Sequence, residues 1–160
     1  MNEPGMTNEL VLLRLLLAGA LGGLLGYERH LRHKAIGVSG MMLVALGSTT
    51  FMLLAQREAA HDPAAISRTL QGLLQGMGFL GGAVIFKGGT DVRGIKTAAA
   101  IWITGAIGMA IGTGFWWLGL IVGLAVALIL GVSDILPGAR PEMASAHSPK
   151  GDDSSAEVGR

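Results

Sequence analysis

The chain contains no cysteine, which removes disulfides, thiolate metal sites and thiol nucleophiles from consideration. It is also short of charge. Only 14% of its 160 residues are Asp, Glu, Lys or Arg, where a soluble domain carries about a quarter. Carboxylates are scarcest inside the apolar stretches: Glu28 stands at the edge of one and Asp134 near the far end of another. That leaves no carboxylate and water cage of the kind magnesium prefers, and no Ser-His-Asp set or carboxylate pair at a credible spacing. Catalytic residues, a cofactor, a resident metal and a nucleic-acid partner are therefore not expected.

Glycine and aliphatic residues fill the space instead. Of the residues, 51% are hydrophobic and 26 are glycine. A helix needs about 20 mostly apolar residues to cross a bilayer, and five such stretches follow one another at about 10–27, 38–55, 66–86, 97–112 and 115–136. The fold expected is all-α, a polytopic membrane domain over residues 1–136 whose five helices meet through glycine-rich faces. Residues 137–160 (GARPEM… after Pro137) are rich in Ser, Ala, Gly, Pro and charge, a composition that predicts a disordered tail. Ala18-Gly19-Ala20 has the look of a signal-peptide cleavage site, but the residues before it are acidic, where a signal peptide is basic.

Lys and Arg gather in the 27–37 loop, in the 87–96 loop and in the tail, three in each, while Arg57 and Arg68 are alone on the other side. The positive-inside rule then predicts an N-terminus outside and a C-terminus in the cytoplasm. Glu28, Arg29, Lys87, Asp91, Arg93 and Lys96 are expected as interfacial charges, with Glu28 or Arg29 paired to the 87–96 loop. Arg14, on the leucine side of the first span, is expected to snorkel to the headgroups. On that span Gly19, Gly22, Gly23 and Gly26 share one side, and Leu13, Leu17, Leu21, Leu24 and Leu25 form a lipid-facing one.

The stretch from Gln71 to Gly112 organises the rest. At about 100° per residue, Gln71, Gln75, Gly78 and Gly82 fall on one arc of the third span. Leu73, Leu74, Met77, Leu80, Val84 and Ile85 fall opposite, as a lipid face. Amides and glycines on one arc predict a face turned to protein or to a polar cavity. On the fourth span Thr97, Thr104 and Gly108 share a face. Six glycine pairs at four-residue spacing, among them Gly22/Gly26, Gly78/Gly82 and Gly108/Gly112, predict close helix packing and leave self-association open. Gly89 to Thr97 nearly spells a phosphate-binding loop, but Ile95 separates the second glycine from Lys96 and a membrane helix precedes it. His30 and His33 lie near Glu28, yet the surrounding Arg and Lys repel a metal ion.

GLLGYER (23–29), LVALGS (43–48), QGMGFLGGAVIFKGG (75–89) and VRGIKTAAAIWITGAIGMAIGTG (92–114) together resemble the MgtC/SapB family of bacterial inner-membrane proteins, from about Leu12 to Gly131. The resemblance implies five spans with the N-terminus outside and a role in adaptation to low magnesium, linked in pathogens to virulence. It further implies regulation of membrane energetics through partner helices, F-type ATP synthase subunits among them. The alternative is a cation channel or transporter, magnesium included, with a path lined by Gln71, Gln75, Thr97 and Thr104. The chain departs from the family pattern at Val38-Ser39-Gly40-Met41, at Gly82-Ala83 and at Lys96. The soluble C-terminal domain of the longer members is not expected.

Overall fold

The computed structural model describes residues 7–31, 36–88 and 91–132. Five helices run in order: α1 (Asn8–Leu31), α2 (Val38–Glu58), α3 (Ala65–Ala83), α4 (Ile95–Gly112) and α5 (Trp116–Val132). Between α3 and α4 lies a small antiparallel hairpin, β1 (Phe86–Gly88) with β2 (Asp91–Arg93), in which Phe86 pairs with Arg93. The third helix therefore ends at Ala83 rather than at Phe86 as the sequence predicts, because glycines at 81 and 82 weaken its last turn and the chain turns into β1. The predicted tail lies outside the described residues.

Side-chain contacts fix the helix directions. Gly26 meets Val38, Gly22 meets Met41 and Ala45, and Gly19 meets Leu46, so α1 and α2 are antiparallel. Thr104 hydrogen-bonds to Met41, while Gly108 meets Ala45 and Gly112 meets Thr49, so α2 and α4 run parallel. Met77 meets Gly105 and Gly81 meets Ala98, making α3 antiparallel to α4. Gly119 meets Ile111, and α5 is antiparallel to α4 in turn. The end of α1, the start of α2, the hairpin and the start of α4 thus share one end of the bundle.

Three of these helices, α1, α2 and α4, are long and apolar enough to cross a membrane, and α5 is an apolar helix of 17 residues. With the sequence pattern this makes the chain an all-helical membrane protein. The 19 residues of α3 are less apolar, since they include Arg68, Gln71, Gln75 and five glycines.

Helices in a bilayer are not driven together by the hydrophobic effect; they associate through van der Waals packing and polar contacts. Here α2 is the helix that α1 and α4 grip. A Cβ on Gly22 would lie 2.8 Å from the Met41 carbonyl oxygen, and one on Gly26 2.6 Å from the Val38 Cα. On the other side a Cβ on Gly108 would lie 2.5 Å from the Ala45 carbonyl, and one on Gly112 2.9 Å from that of Thr49. The Thr49 hydroxyl adds a buried hydrogen bond to the Gly108 carbonyl at 2.9 Å. Leu25, Met41, Ala45, Ile101, Ile107 and Ile111 fill the core between them. Leu21 and Leu25 are buried in it, which corrects their assignment to lipid: α5 and α4 cover that side of α1.

The helix ends are chemically fixed too. Asp62 accepts a hydrogen bond from the Ala64 amide at 3.0 Å in the turn before α3, and its carboxylate pairs with Arg68. Gly94, at φ 94°, opens α4 in the left-handed region, where a side chain would also run into the Val84 carbonyl. Arg14 does not snorkel. Its guanidinium donates to the Gly112 carbonyl at 3.0 Å and to the Gln56 amide oxygen at 3.1 Å, and Gln56 donates in turn to the Thr113 carbonyl at 2.8 Å. A cation and an amide thereby satisfy carbonyls that the C-terminus of α4 leaves without intrahelical donors.

Candidate functional site

The polar residues fall into three places, and only the first concentrates charge. At the basic end of the bundle, Glu28 and Arg29 occupy the last turn of α1. Arg29 lies one turn beyond Leu25 on the face that packs inward, and its side chain is 0% exposed. Its Nε donates to Glu28 Oε2 at 2.8 Å, while its two terminal nitrogens have no hydrogen-bond partner among the described residues. Arg29 is thus a core residue and not an interfacial charge, a placement its position on the glycine side of α1 foreshadows. The adjacent Glu28 is its partner. A buried guanidinium is costly unless an acceptor faces it, so this pair holds the end of α1 under strong electrostatic constraint.

Lys87, Arg93 and Lys96 are exposed around the same end, on β1, β2 and the first turn of α4. The side chain of Asp91 lies outside the described residues. The start of α4 carries no acidic residue in its first turn and no side-chain cap, so its free amide groups add positive potential to the lysines and arginines there. Electrostatically this end is a basic collar over one buried ion pair.

The second place is the face of α4. Thr97, Thr104 and Gly108 all point inward and are buried. Thr104 donates to the Ala100 carbonyl at 2.7 Å within its own helix and contacts the Met41 sulfur at 3.5 Å. These threonines are held in apolar packing between α4 and its neighbours.

The third place is α3, and here the arc of amides and glycines does not turn to the rest of the chain; of the opposite face Leu74, Leu80 and Ile85 are exposed too, and Met77 is the residue that goes inward. Met77 is buried and wedges against Gly105 of α4, where a Cβ would collide with its sulfur. Leu73 and Val84 are half-buried beside it. Gln71, Gln75, Gly78 and Gly82 point out of the bundle, and nothing lies within 4 Å of a Cβ placed on Gly72, Gly76, Gly78 or Gly82. The physical reason is steric: one flexible methionine entering a glycine notch brings α3 close to α4 as well as a glycine ridge would. It follows that Gln71 and Gln75 on the outside do not share a lining with Thr97 and Thr104 on the inside. The four-residue cation path drawn from the sequence does not form within one chain.

Sequence reasoning missed the Arg14–Gln56 clamp, whose signal is a lone Arg and a lone Gln at matching depth in two antiparallel helices. It also missed Met77, which a hydrophobic count cannot tell from Leu80.

Comparison with known proteins gives one consistent result. The MgtC family profile matches residues 15–137. The protein MgtC of Brucella abortus (strain 2308) is 41% identical over 100 residues, which cover 61% of this chain and 41% of that protein. The protein SrpB of Synechococcus elongatus is 42% identical over 120 residues, 68% of this chain and 66% of its own. In Escherichia coli (strain K12), a protein bearing the name "Putative magnesium transporter YhiD" is 35% identical over 136 residues, 79% of this chain and 61% of its own. The chain thus spans about two fifths of the length of the Brucella relative. No solved structure matches it. The matched span takes in most of α1 and all of α2 to α5, with the glycine-gripped core and the Glu28–Arg29 pair: the chain belongs to the MgtC family.

Proposed function

We propose that this chain is a regulatory component of the bacterial inner membrane, linked to magnesium limitation and membrane energetics, that acts on the helices of partner membrane proteins. The link to magnesium rests on the family and on the name borne by the Escherichia coli relative. Subunits of an F-type ATP synthase are the partners that the family resemblance implies. One observation carries the choice of regulator over conduit. The helices that could enclose a path are locked together by glycine-to-backbone contacts along α1, α2 and α4, and the polar side chains available for one lie on opposite sides of α3 and α4. Among the described residues no three His, Asp or Glu side chains come together to hold a cation.

The proposal includes orientation. The end that holds the 31–38 connection and the hairpin is the basic one, and the positive-inside rule puts it in the cytoplasm with the N-terminus outside. Because the chain has no native cysteine, Asp62→Cys should react with an impermeant thiol reagent in intact cells and Ser39→Cys should not.

The functional test is reconstitution beside physiology. Purified protein in proteoliposomes should pass no more magnesium than empty liposomes. A deletion strain should grow poorly in low magnesium with altered membrane potential, and the chain should restore both. Saturable magnesium flux through the purified protein would overturn the regulatory reading in favour of transport.

A further inference from the structure

We infer that the outer face of α3 is a two-fold interface with a second copy of this chain, α3 against parallel α3. This goes beyond the magnesium reading and does not depend on it. The starting observation is a pair of amides in the wrong solvent. α3 lies alongside α2 and α4, so its Gln75, eleventh of 19 residues, stands about 15 Å from the helix start and near mid-membrane at 1.5 Å per residue. Gln71 is one turn nearer the outer end. Both are exposed on the bundle surface, and neither side chain makes a hydrogen bond among the described residues. An amide in hydrocarbon needs a partner, and none is supplied by this chain.

The face around them carries its own complement. Taking about 100° per residue, Gln71, Gln75 and Gly82 form the centre of the arc, with Phe79 about 60° to one side and Gly78 about 40° to the other. Phe79 is the most exposed large apolar residue in the bundle, at 78%. Gly78 and Gly82 open onto a cleft of about 800 Å³ between α3, α4 and α5, bordered by Ile85, Trp102 and Ile129. A two-fold axis along the membrane normal through the arc sets the Phe79 of each copy against the partner's Gly78 flank, at the same depth. A knob and a hole at one depth on opposite flanks is what an isologous interface requires. The amides obey the same condition, since each both donates and accepts and so satisfies its own symmetry mate. No charged residue lies on α3 beyond Arg68, which is held by Asp62, so nothing on the arc repels its copy. A partner of different sequence would have to supply this matching independently.

Oxidative crosslinking in native membranes tests the interface. Gln75→Cys and Gly82→Cys, near the axis, should each give a disulfide-linked dimer, while Ile121→Cys on the exposed side of α5 stays monomeric. Adding Gly78→Leu to fill the hole, or Phe79→Ala to remove the knob, should lower the Gln75→Cys dimer several-fold with no fall in the melting temperature of the extracted protein. Equal crosslinking at Ile121 and Gln75 would overturn the inference as random collision. So would a Gln75→Cys adduct of a different mass, which would give the face to another protein. A chain that stays monomeric at all of these positions would overturn it as well.

Discussion

Gly108 and Gly78 look alike on paper. Each begins a four-residue glycine pair in an apolar helix, and each pair invites a close helix neighbour. In the structure Gly108 presses on the Ala45 backbone, whereas nothing approaches Gly78 within 4 Å. The difference lies in what surrounds each pair. α2 is clasped from both sides, by Gly22 and Gly26 of α1 and by Gly108 and Gly112 of α4, and its own Ala45, Ser48 and Thr49 keep the contact surface small. α3 faces the bundle with Leu73, Met77 and Gly81 and turns its other four glycines away. Spacing therefore marks where a helix can be approached, and the partner's residues decide whether it is.

The sharpest way to break the comparison is to enlarge both glycines. Gly108→Leu drives a side chain into backbone that α2 cannot move without losing α1. Overpacking costs about 1–3 kcal/mol where neighbours can yield, and here they are backbone atoms. Folded protein should be lost altogether, seen as disappearance of the monodisperse peak in fluorescence-detected size exclusion. Gly26→Leu, against Val38, should do the same.

The next largest effect separates the two kinds of charge at the basic end. Glu28→Ala removes the carboxylate that accepts from the fully buried Arg29. Breaking a buried pair costs about 3–5 kcal/mol. Lys87→Ala, at an exposed site on β1, should leave thermal melting in detergent unchanged. Equal effects would mean that Arg29 finds another acceptor when Glu28 is gone.

Within α3 the comparison moves to Met77 and Leu80, one turn apart in effect and opposite in burial. Met77→Ala empties the wedge against Gly105 and should lower stability by about 2 kcal/mol or more. Leu80→Ala, half exposed, should cost less. At the end of the bundle away from the basic collar, Arg14→Gln loses the charged donor to the Gly112 carbonyl and should cost about 1 kcal/mol, since the group is partly solvated. The melting temperatures of these three variants should rank in that order.

Much of this was legible in the residues. Five apolar stretches, their boundaries within a few residues at most ends, and the inward face of Thr97, Thr104 and Gly108 follow from composition and the helical period. Arg29 could be placed on the glycine side of α1 because it continues the line of Gly22 and Gly26. What periodicity could not decide was which side of α3 faces inward. A polar and glycine arc against an aliphatic one is a contrast, and the contrast is the same whether the polar side meets the same chain or a second one. Nor could it place Arg14, whose partner carbonyl belongs to the far end of a helix, 98 residues away in sequence. Leu21 and Leu25 went to lipid on the same logic, because the neighbour that covers them, α5, is the last helix to be made.

The smallest expected effect on the fold is at Gly78 itself, and it carries the comparison furthest. An added leucine there meets no atom of the chain, and its outward position lets it take a normal helical rotamer. Glycine within a helix is disfavoured by about 1 kcal/mol relative to a good helix former, so Gly78→Leu should leave the melting temperature of the monomer unchanged or slightly higher. Gly82→Leu should behave likewise. Together with the collapse expected for Gly108→Leu, this would show that two glycine pairs of identical spacing answer to different masters, one to the fold and one to what the fold meets outside itself. A marked loss of folded protein from Gly78→Leu would mean that α3 packs on its own bundle through the glycine arc, and would return Met77 to lipid.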